Sequence, residues 1–133
     1  MNNYFKNLLV FACILLALSC QKKDNTPADL SKIAVTFITP AAQQLYHKND
    51  TVQINASVTY ISEITGVGMQ IIDSATDDVL FEDDHDLHTS HYSISESWVD
   101  TLSANATLSV VVTVFVANTT GKAERSISFR SLP

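Results

Sequence analysis

Thr51-Val52-Gln53-Ile54-Asn55-Ala56-Ser57-Val58-Thr59-Tyr60 alternates without a break over ten residues. Val52, Ile54, Ala56, Val58 and Tyr60 fall on one side of an extended chain, and Thr51, Gln53, Asn55, Ser57 and Thr59 on the other. A strand repeats every two residues and a helix every 3.6, so this stretch reads as a half-buried β-strand. The same period recurs on both sides of it. Residues 33–38 alternate and are closed by Pro40. Residues 66–73 set Val67, Met69 and Ile71 on one face. A polar turn over 74–78 leads to a short strand at 79–82, and another strand spans 91–98. Residues 107–117 send Leu108, Val110, Val112, Val114 and Val116 inward, with Val111 and Phe115 opposite, the pattern of a central strand covered in part on both sides. The turn Asn118-Thr119-Thr120-Gly121-Lys122 closes a hairpin in which Gly121 is expected to supply a positive φ, and residues 123–129 carry Ile127 and Phe129 inward.

No amphipathic helix of useful length interrupts this pattern. Ala41-Ala42-Gln43-Gln44-Leu45 has the propensity for one helical turn at most. Seven short strands separated by turns predict an all-β fold, a seven-stranded antiparallel β-sandwich, with a small antiparallel barrel as the second choice. Tyr60 and Trp98 are expected in the core or at its edge.

The N-terminus reads differently. Leu8-Leu9-Val10-Phe11-Ala12-Cys13-Ile14-Leu15-Leu16-Ala17-Leu18-Ser19 is apolar, Lys6 is the charge upstream, and Gln21-Lys22-Lys23-Asp24 follows Cys20. A bilayer-spanning helix needs about 20 apolar residues and a signal-peptide core roughly 7 to 15, which favours a signal over a retained short anchor. A small residue before a cysteine at the boundary resembles a bacterial lipoprotein lipobox. Ala17 stands where Leu is usual, a departure that the looser lipoboxes of Bacteroidota-type lipoproteins tolerate. The expected organisation is a signal peptide over 1–19, a lipidated polar tether over 20–31 and a β-sandwich domain over 32–133. Cleavage leaves 114 residues, enough for one core. An acylated Cys20, carrying palmitate-type chains, would hold the protein to the cell envelope, in the outer membrane, because two or more chains anchor firmly where one does not. Cys13 leaves with the leader, so the mature chain has no second thiol for a disulfide or for thiolate chemistry.

Fourteen acids against eight bases give a net charge of −6. Nucleic acid is not an expected partner, since phosphates select clustered Lys and Arg. Enzymatic chemistry also lacks support. No Gly-x-Ser-x-Gly elbow occurs, and three glycines in all make no phosphate-cradling loop. Glu96 lies on the inward phase with Ile94 and Trp98, a lone carboxylate placed to close a strand end or to accept from the indole.

The densest cluster of ligating groups is Glu82-Asp83-Asp84-His85-Asp86-Leu87-His88-Thr89-Ser90-His91, three imidazoles among four carboxylates. Imidazole with carboxylate suits Zn²⁺ or Cu²⁺, so a loop gathering His85, His88 and His91 with Asp83 or Asp86 is a candidate metal site. The competing and favoured reading is a solvated acidic loop whose charges keep an edge strand from pairing with neighbours. No cofactor is otherwise expected. Asp50-Thr51-Val52, Asp73-Ser74-Ala75 and Asp100-Thr101-Leu102 resemble the O-glycosylation triplets of exported Bacteroidota proteins, three where composition gives about one. That nominates Thr51, Ser74 and Thr101.

Lipobox, polar tether, a strand ending in Thr39-Pro40, the Asn49-Asp50-Thr51-Val52-Gln53-Ile54 opening, Tyr92-Ser93-Ile94-Ser95-Glu96-Ser97-Trp98 and Ser126-Ile127-Ser128-Phe129 together resemble Ig-like lipoproteins of unknown function found in Bacteroidota. The resemblance covers nearly the whole chain. It implies an Ig-like sandwich and an envelope address, with no known activity. Where relatives carry an Asp and a Gly-Asn-type turn in the last hairpin, Asn118 and Gly121-Lys122 stand instead, which argues against a cadherin-type calcium site. The expected function is a non-enzymatic, lipid-anchored envelope module that binds or assists an unidentified protein or glycan. The alternative is a transition-metal-binding lipoprotein using His85, His88 and His91.

Overall fold

A computed structural model describes residues 26–133; Cys20 and the leader lie outside the described residues. The described part of the chain is almost entirely β. After a single 3₁₀ turn at Leu30–Lys32, capped by the Asp29 carboxylate on the Ser31 N–H, come six strands: β1 (Ala34–Thr39), β2 (Leu45–His47), β3 (Thr51–Asp73), β4 (Val79–Val99), β5 (Ala106–Val116) and β6 (Lys122–Leu132). Six strands stand where seven were expected for two reasons. The expected second and third strands are one continuous β3, and the fourth and fifth one continuous β4. The short β2 is an addition, in a segment for which only a helical turn had been considered. It pairs parallel with β6, so the sheet is antiparallel everywhere except there.

The strand order is β1-β3-β5-β6-β2, with β4 on β3. Two strands share β3 by dividing its length. Residues 51–59 pair with residues 91–99 of β4, and residues 55–59 also with β1. Residues 64–73 pair with residues 79–89 of β4 and with β5. The register slips between Thr59 and Ile64 and again before Gly66, which is where the β3–β4 ribbon bends from one layer into the other. Bulges bend strands and add twist in this way. The sheet therefore curls on itself. One layer holds β1, the first limb of β3 and the second limb of β4; the facing layer holds the remaining limbs with β5, β6 and β2.

One hydrophobic core lies between the layers. Val52, Ile54, Ala56, Val58 and Ile94 come from one, and Val67, Met69, Ile71, the alternate residues Leu108 to Val116 of β5, and Phe129 from the other. Leu108, Val110, Val112 and Val114 have no exposed surface, as the alternating pattern predicts. Burying each such side chain contributes roughly 1.5–3 kcal/mol. Tyr46 of β2 meets Phe129 edge-to-face, ring centroids 5.6 Å apart, which explains why so short a strand holds its place. Tyr60 is buried and Trp98 half-buried, in the positions expected of them. Ala28 and Leu30 pack against the core from the stretch read as tether.

In the last hairpin the left-handed residue is Asn118, with φ 63°, and Gly121 has no positive φ. Asparagine tolerates that region through local hydrogen bonding. Gly121 is small for a different reason: a Cβ there would stand 2.9 Å from Leu30 Cδ1.

Candidate functional site

The segment expected to form a loop, residues 82–91, is strand. Its alternation is intact but is written partly in charged residues. Phe81, Asp83, His85 and Leu87 are half-buried on the inner face of β4, while Glu82, Asp84, Asp86 and His88 are exposed on the outer face. After the bend the inner face continues with Tyr92, Ile94, Glu96 and Trp98. Because β4 folds over with the sheet, its two limbs lie in opposite layers along the open edge of the core. Asp83 and His85 from one limb thus meet Tyr92 and Glu96 from the other.

The geometry there is close. His85 Nε2 lies 2.8 Å from Asp83 Oδ2, and the His85 ring sits 5.4 Å from the Tyr92 ring, tilted by 52°. One donor atom from each of Asp83, His85 and Glu96 lies within 4.8 Å of the others. Burial first, then the charges of Asp83 and Glu96, hold the Tyr92 hydroxyl above its usual range. Among the described residues no Lys or Arg forms an ion pair with either carboxylate. Glu96, singled out in the sequence only as a lone inward carboxylate, gains its partners from across the gap, and no hydrogen bond joins it to the Trp98 indole.

The other residues of the histidine-rich cluster go elsewhere. Asp86 is exposed on the outer face. His88 points outward, its Nδ1 2.7 Å from Glu63 Oε1. His91 is exposed, its Nε2 3.4 Å from Ser93 Oγ. The structure therefore brings together two of the five nominated metal residues, Asp83 and His85, and separates them from Asp86, His88 and His91. The three nominated glycan carriers, Thr51, Ser74 and Thr101, are all exposed, with Ser74 Oγ 3.1 Å from Ser109 Oγ.

A second polar surface covers the outside of the layer that contains β5. Its rungs run Asp86–Gly66–Phe115–Lys122 and Asp84–Gly68–Thr113–Glu124 across β4, β3, β5 and β6. The two glycines of β3 carry no side chain on this face, and both are buried beneath their neighbours. The Asp84 carboxylate leans over Gly68, where a Cβ would meet Asp84 Oδ1 at 2.5 Å, and the Phe115 ring edges over Gly66. Lys122 Nζ lies 2.7 Å from Glu124 Oε1 and holds that carboxyl below its ordinary value.

The sequence matches no family model and no curated protein. Among solved structures the chain is similar to the fibronectin(III)-like modules of Clostridium thermocellum CbhA, at 14% identity and a TM-score of 0.48, over 74% of this chain and 96% of that one.

Proposed function

We propose that this protein is a non-enzymatic, lipid-anchored cell-envelope module with an Ig-like sandwich fold, which presents one sheet face to a protein or glycan partner. The address rests on the leader ending in Cys20, with lipid on that cysteine holding the chain in the outer membrane. The binding role rests on one observation: the rung Asp86–Gly66–Phe115–Lys122, where a half-exposed aromatic ring stands over a position without a side chain, flanked by an exposed carboxylate and an exposed ammonium. Scattered exposed apolar residues need no explanation, but an aromatic ring flanked by Asp86 and Lys122 offers stacking through the ring and hydrogen bonding through the flanking side chains. Thr51, Ser74 and Thr101 are the proposed sites of O-linked glycan.

Intact mass of the protein isolated from membranes tests the address. The expected species lacks residues 1–19 and carries acyl chains, and Cys20→Ala abolishes membrane retention; a retained, unacylated leader contradicts it. Mass in excess of the acylated chain, lost when Thr51, Ser74 and Thr101 are replaced by Ala, identifies the glycan. A photocrosslinker at position 113, beside Phe115, is expected to give a discrete adduct on intact cells that the same group at position 36 does not. Equal adducts from both positions contradict the assigned face.

A further inference from the structure

We infer that Asp83, His85 and Glu96 form a binding site for one first-row divalent transition metal at the open edge of the core. The site is independent of the anchoring and partner proposals above. It differs from a chelating loop of histidines, because the strand alternation sends His88 and His91 away and brings in Glu96.

Three features carry it. The first is convergence: three donor atoms from two layers lie within 4.8 Å of one another, with His85 Nε2 already 2.8 Å from Asp83 Oδ2. Donors around a single zinc at about 2.0–2.2 Å stand roughly 3.3 Å apart, so closing the set takes side-chain rotation and no backbone shift. The second is charge. Asp83 and Glu96 place two negative charges in a half-buried mouth, and neither has a Lys or Arg ion pair among the described residues. Two like charges facing each other out of full solvent repel, and a divalent cation neutralises both. The third is ligand type. One imidazole nitrogen with two carboxylate oxygens selects transition metals over Ca²⁺ or Mg²⁺, which take oxygen alone. Three protein donors leave the remaining coordination positions to water, or to a ligand entering from the edge. Phe81, Leu87 and Trp98, each two positions from one of the three donors on the same inner face, pack half-buried against the core. A bound ion would also tie the two limbs of β4 together across the gap.

Calorimetric titration of the full, metal-stripped chain with ZnCl₂ tests this. The expected result is one ion per chain with micromolar affinity, weakened at least about tenfold in Glu96→Gln and in His85→Ala, and unchanged in a His88→Ala/His91→Ala double variant. CaCl₂ is expected to give no saturable heat. Melting of each variant in metal-free buffer controls for folding, and the near-isosteric Glu96→Gln carries the test if His85→Ala does not fold. Absence of zinc binding overturns the site. So does binding that survives Glu96→Gln, or that follows His88 and His91, because ordinary surface histidines would then account for it.

Discussion

β5 and β4 both lie against β3, yet they are built to opposite ends. β5 is paired on both sides, and Leu108, Val110, Val112 and Val114 have no exposed surface. Among the described residues β4 is paired on one side alone, and its inner face mixes Phe81, Leu87 and Ile94 with Asp83, His85 and Glu96. The inner face of β5 contributes stability and little else. The second gives up part of its apolar face to polar groups at the mouth of the core, and loads its outer face with Glu82, Asp84 and Asp86. Inward charges and a charged edge both keep a long free strand from pairing with another chain. A 21-residue edge needs that protection more than most.

The largest expected effect breaks the strong side of the comparison. Leu108→Ala in β5 should cost about 2–5 kcal/mol in urea unfolding, since the cavity has packed neighbours in both layers. Leu87→Ala in β4, half-buried at the mouth, should cost roughly 1 kcal/mol, near the average for point substitutions. Equal costs would mean that the two strands are packed alike.

The next prediction makes β4 resemble β5. Glu96→Leu removes one of two facing carboxylates and adds apolar surface toward Ile54 and Trp98. It should raise stability by about 1 kcal/mol in metal-free buffer while abolishing zinc binding, the trade between function and stability seen when binding groups occupy core positions. A drop in stability would show that Glu96 is held there for structural reasons.

Much of the fold was legible because most strands obey one rule. Residues 51–60 and 107–117 alternate so cleanly that their inner faces were named residue by residue. The middle of β4 was not legible as strand, since Asp83 and His85 occupy inward positions and charge there reads as loop. The alternation is present there, but with charged or polar residues on both faces it gives no contrast in polarity. β2 escaped because three residues carry no period; Tyr46 holds it through Phe129, a contact eighty-three residues away. Glu96 was placed on the correct face but appeared alone. Its neighbours at 83 and 85 arrive only when β4 bends at 89–91, and no spacing in the sequence announces a bend that two strands make together. The positive φ of the last hairpin was assigned to Gly121 by residue type, while the backbone gives it to Asn118.

Two smaller effects sharpen the contrast. Burial holds the hydroxyl of Tyr46 above its usual range, ahead of the lowering contribution of Gln44. The folded state therefore favours the neutral phenol. Its contribution is complete below the unfolded value of about 10 and is lost as pH rises through the higher folded value. Alkaline unfolding should accordingly begin above about pH 10, and Tyr46→Phe should flatten it in part, because Tyr92 is raised as well. Gly68→Ala should be nearly neutral, within about 0.5 kcal/mol, because the atom in its way is the free end of the Asp84 side chain. It would nonetheless displace the Asp84 carboxylate on the proposed face, so loss of the crosslinked adduct without loss of stability would assign that surface to binding.

The central claim is that β4 folds over on itself, setting Asp83 and His85 against Tyr92 and Glu96 while His88 faces out. Proton–proton contacts in solution report on this most directly. Ring protons of His85 and Tyr92, with centroids 5.4 Å apart, should show a clear nuclear Overhauser effect, and His88 should show none to Tyr92. A His88–Tyr92 contact, or none from His85, would contradict the register and with it the site.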